Sequence, residues 1–173
     1  IGLPFKFKTF RFFVNIFTKN MVMILRIFQI KIEVVNSHLA NKSGYLFASK
    51  HQSMFETIYY NHLFNNPAYI LKKELLSIPL FGTYLKKLGM IAIDRSQGIQ
   101  SLRHVNEQAS NYSKIRPVII FPEGTRTVFK EEPDLKPGIY SMYKSLNKPV
   151  VPVALNSGNF WPKNNCIKSG IIK

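Results

Sequence analysis

PVIIFPEGTR, residues 117–126, decides the fold. Its first half is β-branched and aromatic, which reads as a strand. Pro122 has no backbone N–H to offer a ladder, so the strand stops there. A polar tip follows at once: Glu123, Gly124, Thr125 and Arg126. An apolar strand that ends in charged and flexible residues is the punctuation of an α/β protein whose chemistry sits at strand ends.

The same punctuation recurs outward in both directions. Upstream, KIEVV (31–35) and YLFAS (45–49) read as strands, and the second runs into Lys50 and His51. Residues 53–64 read as a helix, AYIL (68–71) as a strand and 79–88 as a helix. MIAI (90–93) is a strand that runs into Asp94 and Arg95, and 97–112 is helical. Downstream, KEEPDLKPG (130–138) reads as a surface turn and 137–146 as a helix. PVVPVAL (149–155) is a strand whose two prolines fit a sheet edge or an irregular start. KSGIIK at the end is strand-like. This alternation predicts an α/β fold with a largely parallel central sheet flanked by helices. In such sheets ligands bind beyond the carboxyl ends of the strands. His51, Arg95 and the 123–126 turn all follow strands, so one crevice can receive all three.

SKHQSMFET, residues 49–57, has two readings. Ser53 and Glu56 fit the S-x-x-E capping box, which satisfies orphan N–H groups at a helix start and leaves His51 without a role. Alternatively, His51 is a base and Glu56 the carboxylate that orients it. Five positions apart on one continuous helix, the two side chains would not face each other. The pair works only if His51 precedes the helix and Glu56 sits in its first turn.

The 173 residues suffice for one domain with a core. Lys+Arg number 24 against 9 Asp+Glu, a formal charge of +15, which favours a polyanionic partner such as nucleic acid, an anionic membrane surface or a phosphorylated substrate. A nucleic-acid module would interleave aromatics with cations on a strand face, whereas here the aromatics gather near the amino end. The single cysteine, Cys166, excludes an internal disulfide and a multi-cysteine metal site. His38, His51, His62 and His104 show no metal-ligand spacing, so no metal is expected. Asn41-Lys42-Ser43 and Asn111-Tyr112-Ser113 match the glycosylation sequon, a pattern short enough to arise by chance.

Residues 6–31 are rich in Phe, Ile and Met and contain no acid. Arg11, Lys19 and Arg26 interrupt the run, which disfavours a spanning helix. On a helical wheel Lys8, Arg11, Asn15, Thr18, Lys19, Arg26 and Gln29 share one side. Phe13, Ile16, Phe17, Met21, Ile24, Leu25 and Phe28 fill the other. Such a helix lies on a membrane surface, packs on the protein's own core, or belongs to a signal peptide, which the embedded cations fit badly. The first reading divides the chain into a membrane-associated helical segment, 1–30, and a domain over 31–173. A start at Ile1 and an end inside KSGIIK suggest a chain trimmed at both ends.

Four ordered blocks resemble the glycerolipid acyltransferase family, in its lysophosphatidic acid acyltransferase branch. They are HQSMFE (51–56) for H-x4-D, GMIAIDR (89–95), FPEGTR (121–126) and VPVAL (151–155). LKKELLSIPLFG (71–82) resembles the segment between the first two. The resemblance implies transfer of a fatty acyl group from acyl-CoA or an acyl carrier protein thioester to the 2-hydroxyl of 1-acylglycerol 3-phosphate, with no bound cofactor. Glycerol 3-phosphate or another lysophospholipid is the alternative acceptor. It implies His51 as base and Glu56 as its orienting carboxylate. Lys72, Arg95, Glu123, Gly124, Thr125 and Arg126 become substrate-binding residues, with Arg126 on the phosphate. It implies a membrane-associated enzyme at the cytoplasmic face of the inner (plasma) membrane. One departure stands out: the family's usual aspartate is Glu56 here, which carries its carboxylate about 1.5 Å further from the backbone. The fourth block is expected to line the apolar end of the site or to be a buried edge strand.

Overall fold

The structure is a computed structural model and describes residues 7–40, 42, 44–164 and 166–173. The chain opens with helix α1 (Phe7–Ile27) and the short strand β1 (Ile30–Ile32). β2 (Leu46–Ser49), α2 (Phe55–Leu63), β3 (Ala68–Lys72) and α3 (Phe81–Lys87) follow. Next come β4 (Ile91–Ile93), α4 (Gly98–Ser113), β5 (Val118–Ile120) and α5 (Gly138–Leu146). β6 (Val150–Val153), the four-residue helix α6 (Ser157–Phe160) and β7 (Gly170–Ile172) complete the chain. Residues 1–6 of the amino-terminal segment, and Asn41 and Ser43 of the first sequon, lie outside the described residues. Ser113 of the second sequon is buried at the end of α4.

Five strands form one sheet in the order β4-β3-β5-β2-β6, and every pairing in it is parallel. Successive side chains of a strand point to opposite faces, so an apolar run feeds two cores at once. β5 does this fully: Val118, Ile119 and Ile120 are all buried. Ile119 joins Phe47, Tyr60, Phe64, Leu85 and Leu88 on the face covered by α1, α2 and α3. Val118 and Ile120 join Leu46, Ile91, Val105, Ala109, Met142 and Leu146 beneath α4 and α5. β6 is an edge strand, as its prolines suggest. Pro152 pairs with Ala48 on one side and has no sheet neighbour on the other among the described residues.

KIEVV does not continue as a five-residue strand. Only Ile30–Ile32 pair, and they pair with β7 in a separate two-stranded parallel sheet rather than with the central one. Val34 and Val35 are exposed.

Helix α1 has three faces rather than two. Phe10, Val14, Thr18 and Leu25 are buried; Phe10 and Val14 belong to the main core, Leu25 to a small cluster with Ile30, Phe55 and Ile172. Lys8, Lys19 and Arg26 lie along a cationic side. Phe12, Phe13, Ile16, Phe17, Met23 and Ile24 remain exposed on a third side. Core packing therefore uses one part of the apolar arc and leaves another open.

Beneath the sheet, the Arg116 side chain closes the turn after α3. Its guanidinium donates to the carbonyls of Leu88 and Gly89 and lies 4.2 Å from the Tyr112 ring. Burial lowers its pKa. Gly89 has φ of +63°, and a Cβ there would meet that guanidinium at 2.9 Å. Arg116→Met keeps the apolar stem but leaves two carbonyls without their donor. It should destabilise the domain by about 2–4 kcal/mol, read by chemical denaturation.

Candidate active site

Parallel register brings the carboxyl ends of β2, β5, β3 and β4 to one edge. Ala48 stands beside Ile120, and Lys72 beside Ile93. His51 lies two residues past β2 and is held through its backbone from both sides. Its N–H donates to Glu123 Oε2 at 2.7 Å, and its carbonyl accepts the Thr127 N–H at 2.8 Å. The 123–127 turn thus grips the histidine, not only the space in front of it. The imidazole stacks on Phe121, with ring centroids 4.1 Å apart.

His51 precedes the helix and Glu56 sits in its first turn. Nδ1 of His51 is 2.9 Å from Glu56 Oε2. The same oxygen accepts the Ser53 N–H at 3.0 Å, while Ser53 Oγ accepts the Phe55 N–H at 3.1 Å. Half of the predicted capping box forms beside the histidine–carboxylate pair: Glu56 reaches back to the Ser53 N–H, but Ser53 Oγ takes the Phe55 N–H instead of that of Glu56, and Met54 stands at the N-cap without a side-chain hydrogen bond. A carboxylate oxygen has two lone-pair directions, so one oxygen serves both donors. Glu56 is 0% exposed, whereas the His51 side chain keeps 16%. No hydrogen bond engages Nε2 among the described residues.

Glu123 is nearly buried, and that burial raises its pKa, against the opposing pull of the His51 N–H and of Lys50. Arg95 does not pair with Asp94. Asp94 pairs with Lys73 at 3.0 Å and accepts from Ser96, whose hydrogen bonds and the lysine hold its carboxyl below the usual range. Arg95 instead donates from Nη2 to the Gly124 carbonyl at 2.9 Å. Gly124 has φ of +72°, and a Cβ there would meet the Arg95 guanidinium at 2.7 Å. The positive φ favours glycine here, and a side chain would also have to displace the end of Arg95.

His51, Lys72, Arg95, Gly124, Thr125 and Arg126 all line one cavity of about 1330 Å³. Glu56 and Glu123 stand behind its wall. Away from the polar end the lining is apolar: Phe10 and Val14 of α1, Leu75, Leu85, Leu88 and Met90. The Arg126 guanidinium has no ion-pair or hydrogen-bond partner among the described residues. Lys136 also lines the cavity, and its side chain approaches the Gly124 position. The fourth block does not line it. Val151 and Val153 pack on the main core as an edge strand.

A model of the acyltransferase family matches residues 31–156. The chain belongs to the acyltransferase family. It is 34% identical over 163 residues to the 1-acyl-sn-glycerol-3-phosphate acyltransferase of Pseudomonas aeruginosa, covering 93% of this chain and 63% of that protein. It is 42% identical over 84 residues to the Helicobacter pylori protein of the same name, covering 47% of this chain and 35% of that one. The chain thus spans less than two thirds of the length of these relatives. The crystal structure of the 1-acyl-sn-glycerophosphate acyltransferase from Thermotoga maritima superposes with a TM-score of 0.69 at 22% identity, over 94% of this chain and 65% of that one. The fold is therefore the family's α/β fold.

Sequence reasoning missed Thr127, Lys136 and Ser157. Thr127 directly follows the FPEGTR block and was within reach of it. Lys136 sits in the polar turn read as surface. Ser157 Oγ donates to Glu56 Oε1 across 101 positions of chain.

Glu123→Gln keeps an amide oxygen for the His51 N–H, whereas Glu123→Ala leaves that donor without its partner. The alanine variant should lose about 1–3 kcal/mol in thermal or chemical denaturation, and the glutamine variant less than half of that.

Proposed function

We propose that this chain carries the catalytic domain of an enzyme that moves a fatty acyl group from an acyl-CoA or acyl carrier protein thioester to the 2-hydroxyl of 1-acylglycerol 3-phosphate, forming phosphatidic acid. The observation that carries this reading is the shape of one cavity. A histidine paired to a carboxylate sits where a cationic rim meets a long apolar interior. That layout suits a molecule with a phosphate at one end, hydrocarbon at the other and a hydroxyl between them. The names of the two bacterial relatives support the same reading.

His51 is the base in this scheme. Glu56 accepts from Nδ1, which leaves Nε2 to take the hydroxyl proton as the oxygen attacks the thioester carbonyl. The C–S bond then breaks, and the imidazolium returns its proton to the departing thiolate. The Gly124 N–H is bonded to the Phe121 carbonyl, so the Thr125 and Arg126 N–H groups are the nearer choice for stabilising the transient oxyanion. Arg126, without a partner among the described residues, is suited to a bidentate grip on phosphate. Arg95 and Lys72 add positive charge at the rim, and Glu123 supports the histidine rather than the lipid.

The open face of α1 gives the proposal its location. No helix among the described residues is long and apolar enough to cross a membrane. Phe13, Ile16, Phe17 and Ile24 are instead exposed beside the cationic Lys8 and Lys19. Phe10, Phe13 and Phe17 also line the cavity, so a helix lying in the cytoplasmic lipid surface would hold the opening against its substrate.

An acyl-transfer assay with paired donors and acceptors tests the reading. His51→Ala should lower turnover of 1-acylglycerol 3-phosphate by about 10²- to 10⁴-fold with the fold intact. A full-rate variant overturns the assignment of the base. Arg126→Ala should chiefly raise KM for the phosphorylated acceptor, and an unchanged KM moves the phosphate site elsewhere.

A further inference from the structure

We propose that Ser157 is a positioning residue for the His51–Glu56 pair, fixing the longer carboxylate so that Oε2 stays on the imidazole. This rests on the reading of His51 as base. Glutamate in place of the family's aspartate adds a methylene and one more rotatable bond. The last torsion of a glutamate is broad, so its own rotamer does not fix the carboxylate plane.

Hydrogen bonds fix it instead. Glu56 Oε2 receives His51 Nδ1 and the Ser53 N–H. Oε1 receives the Ser157 hydroxyl. Both Glu56 and Ser157 are 0% exposed, so water cannot substitute for the missing donor if the serine is lost. An unpaired oxygen of a buried carboxylate is costly, and the group would turn or take up a proton to relieve it. Either response weakens its hold on Nδ1.

Ser157 is itself held in place. Its carbonyl accepts the Trp161 N–H at 2.8 Å. The next residue, Gly158, donates its N–H to Gln52 Oε1 at 3.2 Å, and a Cβ at Gly158 would meet the Gln52 side chain at 2.8 Å. Gln52 is the neighbour of His51. The short helix α6 is therefore docked on the segment that carries the base, with its first side chain on the carboxylate. The fourth block contributes to the site in this way: β6 is the edge strand that delivers Ser157. The serine forms no covalent intermediate, since its hydroxyl proton is committed to Glu56 and it does not line the cavity.

The test is a double-mutant cycle in the whole chain, assayed for acyl transfer to 1-acylglycerol 3-phosphate. Ser157→Ala should lower kcat by about 10- to 100-fold, the range set by one hydrogen bond to a charged group. KM for the acceptor should stay within about twofold, because uniform binding is untouched. In a Glu56→Asp background the shorter side chain no longer reaches the serine, and Ser157→Ala should cost almost nothing further. A role limited to packing α6 would cost the same factor in both backgrounds; that result overturns the proposal. Should the alanine variant fail to fold, Ser157→Cys keeps the volume with a weaker donor and should lower kcat several-fold at an unchanged KM, and only while Glu56 is present. An unchanged kcat in that variant, or an equal loss with Glu56 and with Glu56→Asp, overturns the proposal equally. Loss of activity in His51→Ala with none in Ser157→Ala removes the serine's role alone, whereas full activity in His51→Ala removes the underlying reading.

Discussion

A carboxylate sealed from water organises this end of the molecule. Glu56 has no exposed surface, and an ionised group in that position persists only when its lone pairs are met by donors. The donors come from three places: His51 after β2, the Ser53 N–H before α2, and Ser157 at the start of α6. The first two lie in the one short loop between β2 and α2, and the third comes from beyond β6. The chain must therefore bring the segment that follows the edge strand onto the loop that follows a central strand before the charge can be accommodated.

The sheet makes that convergence easy. Because all five strands run parallel, each ends at the same edge, and adjacency then decides which loops meet. β2 lies between β5 and β6. Its loop is flanked on one side by the 123–127 turn, which binds the His51 backbone at both N–H and carbonyl, and on the other by the segment leading to Ser157. The more distant β3 and β4 bring Lys72 and Arg95 to the rim. Arg95 reaches back to Gly124, so the cations of the second and third blocks are tied through a backbone carbonyl rather than through an acid. The arrangement keeps their charge available, since no carboxylate neutralises Arg95 or Arg126 among the described residues.

What was legible in the sequence, and what was not, follows from the range of each interaction. Strand identity is written in local composition. The polar tips at strand ends point directly to His51, Arg95 and the 123–126 turn, because adjacency in sequence to a strand end is also adjacency in space to the sheet's edge. The two readings of Glu56 look like rivals because a motif is read one partner at a time. In three dimensions a single oxygen accepts from both Ser53 and His51, and the second oxygen is left for a third donor. Ser157 carries no such signal: nothing in NSGNF distinguishes a serine that starts a surface turn from one that reaches a carboxylate 101 positions away. Lys136 is hidden similarly, by a loop whose composition is that of any exposed turn.

Helix α1 shows the same limit from the apolar side. A helical wheel finds one broad hydrophobic arc but cannot say which part of it the core takes. The core takes Phe10, Val14 and Leu25, together with Thr18, which the wheel assigns to the polar side and which satisfies itself on the Asn15 carbonyl at 3.2 Å. Phe13, Ile16, Phe17 and Ile24 are left outside, in an area that ordinary packing would have covered first. Phe13 and Phe17 line the cavity from that open side, while Phe10 and Val14 belong to both the cavity and the core. The helix is thus tied to the cavity through the residues it contributes to the wall, and the wheel's single apolar arc divides between core, cavity and open surface.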